Sequence, residues 1–155
     1  MKKNRFSDTF EKIKKEDVEK IEERLSVKFP ESFVNHYMRY NGGVPDLDWI
    51  PGVDNFEPTI VQEFYPMFTD GISYDLKGEC MLEHYFKMLE MNVIRKELLP
   101  FAVDPGGNFY ALNLIDETIH YVLTEGKGEG GRIVSNDFSS FLNSLTDEDG
   151  AYISG

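Results

Sequence analysis

The chain has 155 residues, of which 41% are hydrophobic and 14% aromatic. This length and apolar content fit one domain with its own core and exclude a globally disordered chain. With 16 basic and 28 acidic residues the net charge is −12, a field that repels nucleic acid phosphates and anionic lipid headgroups. A nucleic-acid or membrane-surface role is therefore not expected. A basic partner is favoured, although many proteins are acidic only for solubility.

The cysteine content and the N-terminus bear on the cellular compartment. The single cysteine, Cys80, excludes an intramolecular disulfide and a thiolate zinc cluster. Residues 1–6 start basic but are not followed by the apolar run of a secretory signal. No segment approaches the roughly 20 apolar residues of a membrane helix. We therefore expect a cytoplasmic protein.

Helices are predicted first along the chain. Residues 4–15 are polar with scattered apolar positions and are predicted to form a loose helix. Val18, Ile21 and Leu25 then recur at helical spacing. This spacing predicts an amphipathic helix over Glu16–Leu25.

A proline turn leads into a second predicted helix. Pro30 disfavours helix at the residue before it but fits the first turn of a new helix. The apolar positions of this helix are Phe33, Val34, Tyr37, Met38 and Tyr40. Asn41, Gly42 and Gly43 end the helix, because Asn and Gly tolerate the left-handed conformation there. We expect a positive φ at Gly42 or Gly43.

The middle of the chain mixes loops with short elements. Val44–Glu57 is predicted to be a loop, because Pro, Gly and Asp residues break any pattern in it. Thr59–Phe68 is rich in branched and aromatic residues and is predicted to contain a strand. Asp70–Glu79 is a second predicted loop, and Met81–Leu89 is predicted to be a short helix.

Antiparallel strands are predicted next. Leu99–Val103 is an apolar run of strand length, and Asn108–Leu114 is a second strand. The sequence Asp104–Gly107 between them predicts a hairpin turn, since Pro presets the first central position and Gly accepts a positive φ at the second. Ile119–Leu123 is predicted to be a third strand.

The last segments complete the predicted fold. Gly126–Gly131 is predicted to be an exposed loop, and Asp137–Leu145 a closing helix capped by Asn136 or Asp137. The tail after Thr146 is acidic and has no evident anchor. Helices, then antiparallel strands, then a helix predict an α+β fold. We expect one domain over residues 1–155, with an antiparallel-rich sheet flanked by helices.

Histidine and cysteine offer weak catalytic candidates. His36, His84 and His120 are each alone in sequence beside aromatic residues, a setting typical of structural or surface histidines. Helical metal-binding pairs such as H-E-x-x-H are absent from the sequence. Glu79 beside Cys80 is expected to raise the pKa of the thiol, which makes a reactive thiolate unfavourable.

A glycine pattern formally matches the dinucleotide-binding motif. Gly126, Gly128 and Gly131 have the G-x-G-x-x-G spacing, but Arg132–Val134 after them is predicted to be extended. The motif requires a helix at that point, whose N-terminus meets the pyrophosphate. Neither a Walker loop nor a G-x-S-x-G nucleophile elbow occurs in the sequence. No cofactor site is predicted.

Acidic clusters are candidate metal or catalytic sites. Asp46 and Asp48 could hold a divalent ion, but the twelve-residue calcium loop pattern is not met. The acidic run Asp147–Asp149 is interpreted as a solvated tail. Carboxylates joined from distant segments remain the route by which the chain could be an enzyme. The sequence itself predicts no catalytic residue and no metal site, and hence a protein that is not an enzyme.

Three stretches resemble the signatures of the SUKH superfamily, named for yeast cell-wall assembly regulators. The N-terminal signature is matched by Ile21, Glu22, Leu25, Phe29, Pro30, Phe33, Tyr37, Asn41, Gly42 and Gly43. The second signature is matched by Pro100–Asp104, Gly106 or Gly107, and Tyr110–Leu112. The closing helix is matched by Val134–Leu145. The resemblance covers Val18–Leu145, and its motif residues set backbone geometry.

The resemblance implies an α+β domain without a known catalytic centre. Bacterial members are largely immunity proteins that neutralise polymorphic toxins, often nucleases, delivered between competing cells. It therefore implies a cognate toxin, a basic nuclease domain, as the partner. The alternative is a non-catalytic regulatory or scaffold module, as in the fungal relatives, and an enzyme with an unrecognised site is the third hypothesis.

The acidic loop in the middle of the chain is the predicted partner-binding surface. A basic nuclease would be steered by acidic residues, and exposed aromatic rings would supply apolar anchors. The candidate acids are Asp46, Asp48 and Asp54, and the candidate anchors are Trp49 and Phe56 with Tyr65 as a further aromatic. Burial in the core is the commoner fate of such rings.

Overall fold

The computed structural model describes residues 4–52, 56–67, 80–125 and 131–153. Its helices are α1 Lys15–Leu25, α2 Glu31–Arg39, α3 Met81–Glu90, α4 Phe138–Ser144 and α5 Glu148–Ile153. Its strands are β1 Phe6–Ser7, β2 Val44–Pro45, β3 Trp49–Ile50, β4 Thr59–Ile60, β5 Glu63–Phe64, β6 Leu98–Val103, β7 Phe109–Asn113, β8 Ile119–Val122 and β9 Arg132–Ser135. The loop predicted at Asp70–Glu79 and most of that at Gly126–Gly131 lie outside the described residues.

A five-stranded antiparallel sheet is the centre of the fold. Its strands follow chain order from β5 to β9, each paired with the next. The register places Tyr110 opposite Tyr121, and Tyr121 opposite Arg132. Two short ribbons, β1–β2 and β3–β4, lie outside this sheet. The α+β class with an antiparallel-rich sheet is confirmed.

Aromatic rings join the helices to the sheet. Phe33 of α2 is fully buried, and its ring centroid lies 5.2 Å from Phe29, 5.0 Å from Tyr37 and 4.9 Å from Phe138. It also meets Phe101 of β6 edge-on at 6.0 Å. Such ring pairs each add about 0.5–1.5 kcal/mol beyond area burial. The large aromatic content therefore forms the core between α2, α4 and β6.

The Asn41–Gly43 motif fastens distant segments to the end of α2. The buried Asn41 carboxamide donates to the Glu11 carbonyl (2.8 Å) and accepts from the Met67 N–H (2.8 Å). Gly42 and Gly43 have φ of +77° and +107°, which confirms the predicted positive φ. Gly43 also exchanges two backbone hydrogen bonds with β5, of 3.1 and 2.8 Å. The motif thus holds the N-terminal segment and the sheet edge together.

The Asp104–Gly107 turn forms as predicted, but the positive φ is at Gly107 and not at the second central position, Gly106. The Asp104 N–H donates to the Asn108 carbonyl (2.8 Å), and Gly107 has φ +89°. The Asp104 carboxylate accepts from the N–H groups of Gly106 (2.9 Å) and Asn108 (2.8 Å), and from the Tyr121 hydroxyl. These bonds explain how a carboxylate that is only 9% exposed is stabilised at this turn.

The longer predicted elements agree with the structure within a residue or two. This holds for the helices predicted at Glu16–Leu25, Met81–Leu89 and Asp137–Leu145. Of the two predicted caps for α4, Asp137 is the one used, because its carboxylate accepts from the Ser140 N–H at 2.7 Å. The second helix ends at Arg39, before the glycines that were expected to end it.

Two-residue strands account for most of the wrong local predictions. The predicted loop Val44–Glu57 contains β2 and β3. The prediction of a strand within Thr59–Phe68 is confirmed, and the described part of that segment holds two short strands, β4 and β5. Residues 4–15 contain β1 and not a loose helix. A two-residue strand has no periodicity, and its partner is distant: β1 pairs with β2, and β3 with β4.

The C-terminal tail is anchored, so the prediction of a free tail is wrong. Thr146 and Trp49 exchange two backbone hydrogen bonds, both of 2.9 Å. The Asp147 carboxylate then accepts from the Gly150 N–H at 2.8 Å, at the start of α5. Ala151 in that helix is only 2% exposed. A small apolar face thus holds α5 against the protein.

His36 of α2 is buried among aromatic rings. Its ring centroid lies 4.8 Å from Phe6, 5.3 Å from Phe64 and 5.6 Å from Phe138. Its Nε2 atom is buried without a hydrogen-bond partner. Burial first, and then the positive charge of Arg39, lower the pKa of His36 from 6.5 to about 4. His36 is therefore neutral at neutral pH.

We predict that acidification from pH 7 to 5 lowers the free energy of unfolding. In that range the unfolded chain protonates His36 while the folded protein does not, so the unfolded state gains stability as the pH falls. A pKa near 4 against 6.5 corresponds to about 2 kcal/mol at about pH 5. Urea unfolding at both pH values should show this loss in the wild type and a much smaller loss in His36→Leu. An equal loss in both proteins would contradict the prediction.

Candidate functional site

The predicted partner-binding residues lie on and beside the β3–β4 ribbon, Trp49–Ile60. Trp49 pairs with Ile60, and Ile50 pairs with Thr59. Asp46 and Asp48 precede the ribbon, and Phe56 lies in the connection between its strands. Asp54 lies outside the described residues. The ribbon therefore fixes Trp49 by strand pairing and displays Phe56 on the connection.

Trp49 is half-buried and packs on the C-terminal helix. Its indole lies 5.8 Å from the Tyr152 ring, and Tyr152 itself is 57% exposed. Its backbone is held by Thr146 as described above. The Trp49 side chain thus supports α5 and also contributes, with Tyr152, an aromatic pair at the surface.

Acidic residues lie close in sequence to both members of this aromatic pair. Asp46 is exposed, and Asp48 is half-buried, which raises the pKa of its carboxyl. The acidic run Asp147–Asp149 is exposed and follows directly on Thr146. The pairing of Thr146 with Trp49 therefore brings a second acidic segment to the ribbon.

Phe56 covers an arginine at the sheet. The ring is 51% exposed, and the Arg132 guanidinium carbon lies 3.9 Å from its centroid. The same guanidinium lies 5.2 Å from the Tyr121 ring. Burial lowers the pKa of Arg132, and its Nη1 atom is buried without a hydrogen-bond partner. Cation–π contacts with the two rings stabilise this guanidinium.

Tyr110 connects the ribbon to the same part of the sheet. Its hydroxyl donates to Thr59 Oγ1 (2.8 Å) or the Ile60 carbonyl (3.1 Å) on β4. Its ring lies 5.1 Å from that of Tyr121. Burial, and the bond to the Asp104 carboxylate, raise the pKa of Tyr121 to about 12. Tyrosines that stay protonated therefore join the ribbon, the sheet and the Asp104 turn.

The structure brings some predicted site residues together and separates others. Asp48 and Trp49 lie with the C-terminal segment, whereas Phe56 lies with Arg132. Tyr65 is buried, at 6% exposed, and stacks on His84 at 3.9 Å. Tyr65 is therefore a core residue and not a surface anchor, and that prediction is wrong.

Sequence reasoning missed the C-terminal acids, Tyr152 and Arg132. The sequence does contain an indication of a C-terminal helix that would carry the acids and Tyr152. Asp147 can cap a helix, and the apolar residues Ala151 and Tyr152 follow it. Arg132 had no local signal, because its ring partners come from other strands and from the ribbon.

Within the described ranges, no group of three or more His, Cys, Asp and Glu residues is placed to hold a metal ion. His36 and His84 are on separate helices, and burial lowers the pKa of both. Among the described helices, none combines the length and apolarity needed to cross a bilayer.

An antiparallel sheet in chain order, a preceding helix pair and a closing helix together define a small α+β domain. The model of the SMI1 / KNR4 family (SUKH-1) matches residues 12–144, and the chain belongs to this family. The match includes both the Asn41–Gly43 and the Asp104–Gly107 motifs. It ends with the last residue of α4, so the acidic run and α5 lie beyond it. A search of curated proteins found no match to this chain.

Proposed function

We propose that this protein is an immunity protein, which binds and neutralises a cognate toxin in the cytoplasm without catalysis of its own. The family membership supports a protein partner in general. The net charge of −12 favours a basic partner, such as a nuclease domain that must hold phosphates. The observation that carries the proposal is the acidic and aromatic surface around the β3–β4 ribbon.

The proposed interface combines steering charges with apolar anchors. Asp46, Asp48 and Asp54 would attract a basic surface, and Trp49 and Phe56 would supply buried contact area. The acidic run Asp147–Asp149 and Tyr152 extend this surface. A cationic nuclease groove covered by these carboxylates would no longer admit nucleic acid. Because α5 lies beyond the family match, this extension is a candidate determinant of specificity for one toxin.

Electrostatic steering predicts a salt-dependent association rate. Association with the toxin domain encoded by the adjacent gene should be about tenfold faster at about 0.05 M than at about 0.5 M salt. Dissociation should depend less on salt, since buried contacts set it. Both rate constants can be measured by surface plasmon resonance.

A matched pair of charge reversals locates the interface. Asp46→Lys, Asp48→Lys and Asp54→Lys together should slow association at low salt. Glu16→Lys, Glu19→Lys and Glu23→Lys on α1 change the net charge equally at positions that are all exposed, and should slow association much less. Equal effects would place the interface elsewhere. Absence of binding, or capture of several unrelated host proteins instead, would favour the regulatory alternative.

A further inference from the structure

A second surface of different character lies along α2. An open groove of about 540 Å³ runs between α2, the end of α4 and the N-terminal segment. Its apolar lining includes Phe6, Leu47, Leu142 and Leu145. Its volume falls within the range of ligand-binding clefts, about 300–1,000 Å³. The β3–β4 ribbon contributes no residue to the described lining.

The groove is a local exception to the acidity of the protein. Of the described residues that line it, Arg39 alone is charged at neutral pH, and none carries a carboxylate. The Arg39 guanidinium is exposed and lies 5.3 Å from the centroid of the Tyr40 ring. On a chain of net charge −12, this cation marks the groove as suited to an anionic group.

Polar side chains also line the groove. His36 is nine-tenths buried where it lines the groove, and its Nε2 atom has no partner. The hydroxyl of Ser32 and the carboxamides of Asn35 and Asn143 also line it. Carboxamides and hydroxyls both donate and accept hydrogen bonds, so they match the N–H and C=O groups of a peptide backbone.

The length of the groove indicates the form of its occupant. Ser32 and Arg39 lie on the same helix and are seven residues apart, which corresponds to about 10 Å. An extended peptide of about three residues spans this distance. A peptide with apolar side chains would fill the apolar lining, and a carboxylate at one end would reach Arg39.

We propose that the α2 groove binds an extended peptide segment of a partner protein, with a Glu or Asp side chain at Arg39 beside apolar side chains. The groove has the opposite charge preference to the proposed toxin surface. The two surfaces adjoin at Leu47, which lines the groove and lies between Asp46 and Asp48 in the chain.

Defined peptides test the groove directly. The probe is acetyl-Leu-Phe-Glu-amide, titrated into isotopically labelled protein with amide shifts followed by NMR. Saturable shifts are expected at Ser32–Tyr40 and Leu142–Leu145. Acetyl-Leu-Phe-Gln-amide should bind about fivefold more weakly, which is the size of a charge-assisted contact at an exposed site. Acetyl-Leu-Phe-Lys-amide should bind still more weakly.

Two arginine variants decide the role of Arg39. Arg39→Gln should remove the preference for the Glu peptide over the Gln peptide. Arg24 of α1 is the matched control, because its guanidinium also lies over an aromatic ring, that of Phe86 at 4.9 Å. Arg24→Gln should retain the preference for the Glu peptide. Preserved preference in Arg39→Gln, or shifts located outside the groove, would overturn the proposal. If 3-phenylpropionate bound with the same affinity as acetyl-Leu-Phe-Glu-amide, the proposal would also be overturned, because a small free carboxylate would then be the occupant.

Discussion

Gly43→Ala should lower the free energy of unfolding by about 3 kcal/mol or more, whereas Gly107→Ala should lower it by about 1 kcal/mol. Both glycines have positive φ, +107° and +89°, so an L side chain is strained at either. The two sites differ in space. A Cβ at Gly43 would lie 2.5 Å from the Ser7 carbonyl oxygen and 2.8 Å from Thr9 Cγ2, while one at Gly107 meets nothing within 4 Å.

The comparison separates backbone strain from steric conflict. Urea unfolding of the two variants measures both costs against the wild type, and their difference gives the cost of displacing the β1 segment. Circular dichroism of the folded state checks that Gly107→Ala is otherwise native. Equal destabilisation in the two variants would show that the close approach of Ser7 to Gly43 costs nothing.

Trp49→Ala should speed dissociation of the proposed toxin complex by about thirtyfold or more. A half-buried indole on an interface is a common hot spot, and its loss typically costs about 2 kcal/mol or more. Association should change little, because no charge is altered. The measurement is the dissociation rate constant from surface plasmon resonance at fixed salt.

Tyr152→Ala sets an upper limit on the packing role of Trp49, because the Tyr152 ring both packs on the indole and belongs to the proposed toxin surface. The substitution removes the ring that Trp49 contacts at 5.8 Å, while the backbone pairing of Trp49 with Thr146 stays in place. If Trp49 contacts the toxin directly, Trp49→Ala should speed dissociation far more than Tyr152→Ala. Dissociation equal to the wild type in Trp49→Ala would mean that the indole only supports α5.

The sequence predicts the longer elements and fails on the shortest ones. α1, α3 and α4 each bury an apolar stripe, and β6 to β8 are apolar runs that turn residues separate. Such elements carry their own periodicity. The strands β1 to β5 have two residues each. Their pairing depends on segments that only the tertiary fold brings together.

In the candidate site, too, contacts between distant segments could not be predicted from the sequence. From the sequence, Asp46 and Phe56 are candidate surface residues, although burial in the core is the commoner fate of aromatic rings. The structure places both at the surface. Composition could not indicate that Phe56 covers Arg132, because that contact joins residues that are far apart in the sequence. Tyr65 had the same aromatic character as Trp49 and Phe56 but is buried against His84. Side-chain type alone does not separate an anchor from a core residue.

The pairing of Trp49 with Thr146 has a consequence for synthesis on the ribosome. Chains emerge from the N-terminus, and a contact between distant residues forms only after the later residue has been made. The ribbon is translated before its backbone partner at Thr146 and the ring of Tyr152, both of which lie far along the chain from it. Until those residues have been made, the nascent chain carries the ribbon without the segment that completes its surface.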